Sequence, residues 1–277
     1  MIRSLLVAYD GSHGARVALQ HAVDVARRSE GRITLLTVGK SGAEETPPLG
    51  EGGVDPVALA AEAPTAEADE TVASTDADAV LGEAVELCRE LTVRCLARPT
   101  YGDLPSALAR ASQFGDLVFI GRDALAEPGS PGRSARSARR VAMVAKCPVV
   151  VTPRQYQPIR SVVAACLSER ASACTVRTGS ELASLLQVKL EALFVASEQQ
   201  AGAHAVRELK RYLVDHGHTA DVIVRKPPAA DALVAAAGDR QSPLVVVPRS
   251  GRWSALMRRD SLSAALEILG ATVVVVP

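Results

Sequence analysis

The sequence predicts an α/β protein made of two tandem doubly wound domains, each with a parallel five-stranded sheet in the order 3-2-1-4-5. Short apolar runs alternate with stretches whose apolar residues recur at helical spacing, and this alternation occurs twice along the chain. Hydrophobic residues make up 48% of the chain but aromatic residues only 3%. An interior of Ala, Val and Leu is typical of buried parallel strands covered by helices.

The first half opens with an apolar run, Ser4–Tyr9, that is too short for a helix and ends at the turn signal Asp10-Gly11. A helix is predicted over Ala15–Ala26 with Ser12 as its N-cap, followed by a strand over Arg32–Val38. The later predicted elements are a helix over Val80–Leu91, a strand over Val93–Ala97, a helix from Tyr101 to Ala111, a strand over Asp116–Ile120, a helix over Ala138–Ala145 and a strand over Val149–Val151.

The segment 41–79 interrupts this pattern. It is acidic and rich in Pro, Gly, Ala and Thr, and no apolar face can be drawn through it. Such a composition cannot bury enough apolar surface to form a core. We therefore expect a loosely ordered acidic insertion in the first domain.

The second half repeats the first. Ser161–Cys166 matches the opening strand at an offset of 157 residues. We expect domains at 1–153 and 159–277, the second without most of the insertion. Its predicted elements are helices over Glu181–Leu186, Ala205–Val214, Ala229–Ala237 and Leu262–Leu269, and strands over Ser161–Cys166, Leu190–Ala196, Val222–Arg225, Leu244–Val247 and Thr272–Val276.

Composition argues against several classes of protein. Basic and acidic residues balance at 31 each, so no net field favours nucleic acid or an anionic membrane, and no apolar run reaches bilayer length. No signal peptide is recognised, and the five scattered cysteines indicate reduced thiols in the cytoplasm. His216 and His218 lack a third ligand beyond Asp215, so no metal site is predicted. Motifs for a catalytic triad, a P-loop or a zinc protease are absent, so an enzyme is not expected.

A candidate binding site follows from the predicted topology. In a doubly wound sheet, ligands bind at the carboxyl ends of the strands where the winding direction reverses. Asp10 ends the first strand and Gly121 ends the fourth, so the two should share one cleft although they are far apart in sequence. The loop after Gly121 is rich in Gly, Pro, Ser and Arg and leads to a helix start, which suits a phosphate. An ordinary surface loop explains the same composition.

The motifs LLVAYDGS, DLVFIG with its glycine-rich loop, and CPVVVTP resemble the universal stress protein family in its tandem form. The resemblance implies an adenine nucleotide alpha-hydrolase-like fold and a cytosolic stress-response sensor or adaptor without turnover. It also implies ATP, with Mg²⁺, as the candidate ligand. In nucleotide-binding members an aspartate after strand 1 contacts the adenosine, and a Gly-x-x-Gly, about nine residues and Gly-Ser wrap the phosphates.

This chain departs from that motif. Asp10 and Gly121 match, but Ala124 replaces the second glycine and Ala135-Arg136 replaces the final Gly-Ser. Neighbouring residues could compensate, because Gly132 offers backbone freedom and Arg136 and Ser137 offer hydrogen-bond donors. The candidate nucleotide-binding residues are therefore Asp10, Gly121, Ala124, Gly132, Ala135, Arg136 and Ser137. The alternatives are a solvated basic face and an interaction or scaffold protein that has lost nucleotide binding in both domains.

The second domain departs further, with Leu167 at the aspartate position, Pro248 at the first glycine and Asp260-Ser261 at the final Gly-Ser. A proline offers no N–H and an aspartate repels a phosphate, so this domain is expected not to bind ATP. As in family dimers, the fifth strands of the two domains are expected to pair with each other. A homodimer of the whole chain is a further expectation.

Overall fold

The structure is a computed structural model. It describes residues 2–38, 75–100, 104–122, 138, 140–166, 169–195, 199–215, 217, 219–226, 228–249 and 270–277. The predicted helix over Leu262–Leu269 and most of the predicted insertion lie outside these ranges.

Strands and helices alternate along both halves of the chain. The first half contains β1 Ser4–Ala8, α1 His13–Ser29, β2 Arg32–Val38, α2 Thr75–Glu90, β3 Arg94–Thr100, α3 Leu104–Ala111, β4 Leu117–Gly121, a helical stretch at 140–144 and β5 Val149–Thr152. The second half contains β6 Ser161–Cys166, α4 Glu169–Leu186, β7 Lys189–Val195, α5 Gln199–Asp215, β8 Asp221–Arg225, α6 Ala229–Gly238, β9 Pro243–Pro248 and β10 Thr272–Val276.

The strands form one ten-stranded sheet in the order β3-β2-β1-β4-β5-β10-β9-β6-β7-β8. Read from each edge inward, both halves have the predicted order 3-2-1-4-5, and all pairings within a half are parallel. The predicted α/β class is therefore confirmed. The domain limits at 153 and 159 stay a prediction.

The halves meet at the fifth strands, as predicted. β5 and β10 pair antiparallel, with Val150 opposite Val274. The predicted pairing joins the two five-stranded sheets into one continuous sheet across the seam. Since β5 and β10 run in opposite directions, the parallel strands of the first half point the opposite way from those of the second half. The carboxyl ends of the two sets of strands therefore lie on opposite sides of the sheet, at the two ends of the strand direction. The candidate clefts of the two halves therefore open on opposite sides of the molecule.

The centre of the sheet is fully buried. Every residue of β4 and β10 is buried, which accounts for their nearly continuous apolar sequences. The buried side chains form one hydrophobic cluster that extends through both halves. The seam is therefore part of the main core, and burial of its valines stabilises the pairing of the halves.

Three helices begin at least five residues earlier than the sequence predicts, and one of them, α5, begins at Gln199 rather than at Ala205. α4 begins at Glu169 rather than at Glu181, and its added turns bury Thr175 and Val176. Thr175 Oγ1 donates a hydrogen bond to the Ala165 carbonyl at 3.1 Å, so tertiary contacts outweigh low helix propensity. α2 begins at Thr75, inside the segment predicted to be unstructured. The expectation for the rest of the insertion, residues 41–74, falls outside the described residues.

Side chains also join the halves away from the seam. The Tyr156 hydroxyl, in the link between the halves, donates to the Asp24 carboxylate on α1, and the Tyr156 ring lies 5.0 Å from that of His21. Arg249, which follows β9, donates through Nη1 to the Ala145 carbonyl of the first half at 2.6 Å. These contacts fix the orientation of one half relative to the other.

Candidate functional site

Asp10 and Gly121 lie at the same edge of the sheet, as the topology predicts. β1 and β4 are parallel neighbours, with Leu5 opposite Leu117 and Val7 opposite Phe119. Gly121 is the last residue of β4, and Asp10 follows β1 after one intervening residue. The winding direction reverses here, because β2 and β3 lie on one side of this pair and β5 on the other.

The local structure holds the Asp10 carboxyl group at the amino end of α1. Asp10 Oδ1 accepts a hydrogen bond from the Ser12 N–H at 3.0 Å, and Gly11 between them has a φ of 75°. Ser12 is the N-cap of α1, as predicted, and its Oγ accepts from the Ala15 N–H at 3.2 Å. Asp10 is exposed to solvent, so a ligand at this edge can reach its carboxylate.

The requirement for glycine at position 121 comes from packing. A β-carbon on Gly121 would stand 2.3 Å from both the carbonyl carbon and the carbonyl oxygen of Gly14, in the first turn of α1. The end of β4 therefore touches helix backbone that only glycine allows it to approach. This contact explains Gly121 without a ligand, and it also draws β4 against the turn that carries Asp10.

A buried tyrosine immediately precedes Asp10 in the chain. Tyr9 is 1% exposed, and burial raises its pKa, although a hydrogen bond to Arg16 acts in the opposite direction. Arg16 pairs in turn with Glu83 on α2 at 3.3 Å. These interactions connect Tyr9, which follows β1 and precedes Asp10, to α1 and α2.

Sequence reasoning missed two further residues at this edge. Arg122 is 5% exposed, and its N–H donates to the Thr152 carbonyl at 3.3 Å. Thr152 lies opposite Gly121 in β5, and its Oγ1 is buried without a hydrogen-bond partner among the described residues. The sequence could have indicated these two residues only through their places at strand ends. Arg122 follows the glycine that ends β4, and Thr152 is the polar last residue of the otherwise apolar β5.

The predicted phosphate loop cannot be compared with the structure. Five of the seven predicted site residues lie outside the described residues: Ala124, Gly132, Ala135, Arg136 and Ser137. The role predicted for them stays a prediction. Of the predicted site, the structure brings together Asp10 and Gly121.

The corresponding edge of the second half has a different composition. Pro248 ends β9 as Gly121 ends β4, and it lies next to Val276 of β10. Proline supplies no backbone N–H at the position where the first half has a glycine. Leu167, Asp260 and Ser261, the other predicted departures, lie outside the described residues.

Two general features of the described residues bear on function. Within these residues, no group of three or more His, Cys, Asp or Glu side chains is arranged to hold a metal ion. His216 and His218 lie outside the described residues. No helix in the described part of the chain has the length and apolar character needed to cross a bilayer.

Solved structures share this fold over nearly the whole chain. A universal stress protein from Archaeoglobus fulgidus is 15% identical, with a TM-score of 0.68 over 98% of this chain and 95% of that one. A putative universal stress protein from Pseudomonas aeruginosa is 15% identical, with a TM-score of 0.61 over 99% of this chain and 93% of the other. The cytoplasmic domain of a prokaryotic cation chloride cotransporter is 11% identical, with a TM-score of 0.56 over 99% of this chain and 95% of that domain.

At these identities the likeness establishes the fold alone. A comparison with curated protein sequences gave no match. The model of the Universal stress protein family matches residues 1–153, which is more than half of the 277 residues. The chain therefore belongs to the universal stress protein family.

Proposed function

We propose that this protein is a cytoplasmic stress-response sensor or adaptor that binds an adenine nucleotide in its first half, without turnover. The observation that carries the proposal is the convergence of Asp10 and Gly121 at the carboxyl ends of adjacent parallel strands, where the winding direction reverses. Ligands of doubly wound folds bind at this position. Membership of the universal stress protein family supports the same choice of ligand.

ATP with Mg²⁺ suits the chemistry proposed for this edge. A fixed, exposed carboxylate such as that of Asp10 accepts hydrogen bonds from ribose hydroxyls or from the adenine amino group. The triphosphate would extend toward the loop that contains Ala124, Gly132 and Ala135, where Arg136 and Ser137 would donate hydrogen bonds to it. Mg²⁺ would then be held mainly by the phosphates.

Binding is proposed for the first half only. Pro248 removes a backbone donor from the corresponding edge of the second half. The second half would instead stabilise the first through the β5–β10 seam. One nucleotide per chain is therefore expected.

The second candidate function is an interaction or scaffold protein that binds no nucleotide. It is favoured by the contact between Gly121 and Gly14, which explains the glycine without a ligand. The outer strands β3 and β8 end the sheet and could pair with another chain, including a second copy of this one.

Isothermal titration calorimetry with ATP and Mg²⁺ distinguishes the two functions. The sensor requires saturable binding near one nucleotide per chain, abolished by Asp10→Ala and weakened by Arg136→Ala. Asp221→Ala, which alters an exposed aspartate at the far edge of the sheet, is the matched control and should bind as the parent does. A flat titration of the parent would favour the interaction protein.

Phosphate release tests the absence of turnover. The parent protein with ATP and Mg²⁺ should release phosphate no faster than a buffer blank. Release above the blank that Asp10→Ala removes would identify an ATP-hydrolysing enzyme and overturn this part of the proposal.

A further inference from the structure

Two of the five cysteines lie together at the outer edge of the first half. Cys88 is in the last turn of α2 and is fully buried, whereas Cys95 is on β3 and half-buried. The turn between them is closed by a hydrogen bond from the Val93 N–H to the Cys88 carbonyl at 2.8 Å. Val93, one residue before β3, and Cys88 belong to the buried core, and Cys95 packs against the same core.

The two cysteine side chains are close enough to interact electrostatically. This interaction lowers the pKa of Cys95 and, together with burial, raises the pKa of Cys88. A thiolate is the reactive form of cysteine. Cys95 is the more accessible member of the pair, because Cys88 is fully buried whereas Cys95 is half-buried on an outer strand, where a small oxidant can reach it.

We propose that Cys88 and Cys95 are a peroxide-responsive dithiol that converts reversibly into a disulfide. The Cys95 thiolate attacks one oxygen of a hydroperoxide, so that an S–O bond forms, the O–O bond breaks and hydroxide or alkoxide leaves. Cys95 becomes a sulfenic acid, oxidised by two electrons. The Cys88 sulfur then attacks the Cys95 sulfur, so that the S–S bond forms, the S–O bond breaks and water leaves with the Cys88 proton.

The surrounding structure permits this step. β3 is an outer strand of the ten-stranded sheet and pairs with β2. A small shift of β3 toward α2 would therefore disturb hydrogen bonds to this one neighbouring strand. The remaining cysteines are less suited. Burial is the main cause that raises the pKa of Cys147 to about 12, Cys166 is buried within β6, and Cys174 is exposed on α4 in the other half.

The disulfide would link α2 to β3 directly after the acidic segment of the first half. It would therefore respond to oxidants independently of any nucleotide at the Asp10 edge. The two activities can be tested separately, because neither cysteine lies at that edge of the sheet.

Peptide mapping of the full chain tests the proposal. The protein is exposed to hydrogen peroxide, free thiols are blocked with N-ethylmaleimide, and a tryptic digest is analysed with and without dithiothreitol. Trypsin releases Cys88 in the peptide 41–89 and Cys95 in the peptide 95–110. We expect a linked pair of these peptides, lighter by two hydrogen atoms than their sum, which dithiothreitol separates.

Variants assign the two roles. Cys88→Ser should abolish the linked pair and leave a Cys95 sulfenic acid that dimedone traps, and Cys88→Ala should give the same result if the serine variant does not fold. Cys95→Ser should abolish both products, and Cys174→Ser, the matched control, should form the disulfide as the parent does. Blocked thiols at both positions in the peroxide-treated parent, without a linked peptide, would overturn the proposal. So would dimedone labelling that is confined to Cys174.

Discussion

Gly121, the last residue of β4, packs directly against Gly14 in the first turn of α1, and a β-carbon at position 121 would stand 2.3 Å from the Gly14 carbonyl group. The contact is with backbone, which cannot rotate out of the way as a side chain could. It fixes the distance between the fourth strand and the helix that follows the first strand. The edge that carries Asp10 is therefore shaped by a glycine pair.

Gly121→Ala should destabilise the protein. The added methyl group must displace α1 or β4, and overpacking of this kind costs about 1–3 kcal/mol. Urea denaturation should show a lower midpoint with an unchanged slope. Gly82→Ala is the control, because a β-carbon there meets nothing within 4 Å and the substitution lies within α2. It should raise stability by about 0.5–1 kcal/mol. Equal midpoints for Gly121→Ala and the parent would contradict the packing argument.

The sequence predicted the sheet well because its signals are local. Buried parallel strands are apolar runs, and β1, β2 and β4 were located to within one residue. The pairing of the fifth strands at the seam did not come from these local signals, because it was expected only from the resemblance to family dimers. With the order of strands known, the neighbourhood of Asp10 and Gly121 followed from topology alone.

The early turns of α4 were missed because their stability comes from tertiary contacts. Thr175, Thr178 and Gly179 have low helix propensity, but all three are buried. A β-carbon on Gly179 would lie 3.2 Å from the Leu190 side chain and 3.3 Å from Ala164, so small residues let the helix approach the sheet closely. The Gly121–Gly14 contact was missed for a similar reason, since a meeting of two backbones leaves no periodic pattern.

Arg249→Ala should loosen the junction between the halves. The Arg249 guanidinium donates to the Ala145 carbonyl across the seam at 2.6 Å, and a hydrogen bond to a charged group contributes about 1.5–3 kcal/mol. Thermal unfolding should therefore show a lower Tm. Arg225→Ala is the matched control, because the Arg225 ion pair with Asp239 is exposed and spans 3.5 Å. Its effect should stay within about 0.5 kcal/mol. A Tm for Arg249→Ala as high as that of the control would show that the contact does not stabilise the seam.

His21 should make the protein sensitive to mild acid. Burial lowers the pKa of His21 to about 4, although Asp24 acts in the opposite direction, and the ordinary value is 6.5. Between these two values the unfolded state binds the proton and the folded state does not, so stability falls as the pH decreases through this range. The loss approaches about 3 kcal/mol near pH 4.

Urea denaturation at pH 7 and pH 5 measures this effect. His21→Leu removes the titrating group, so the difference in stability between the two pH values should shrink relative to the parent. His204→Leu, which alters an exposed histidine on α5, should keep the full difference. An unchanged pH dependence in His21→Leu would assign the acid sensitivity to other groups.

Asp116→Ala should destabilise the first half through a contact between distant parts of the chain. Asp116 Oδ2 accepts hydrogen bonds from the backbone N–H groups of Arg3 at 2.7 Å and Ser4 at 2.8 Å, and so holds the start of β1 beside the start of β4. Two donors would lose their charged acceptor, and water would compensate in part because the contact is exposed. We expect a loss of about 1–2 kcal/mol in urea denaturation.

Hydrogen exchange locates this effect. In Asp116→Ala the amide protons of Arg3 and Ser4 should exchange faster than in the parent, while those of β6 in the second half should not change. Asp116→Asn is the closest control in shape: its amide oxygen still accepts hydrogen bonds but carries no charge, so an intermediate loss is expected. Equal stability of the alanine variant and the parent would mean that the β1–β4 pairing holds the amino terminus without the carboxylate.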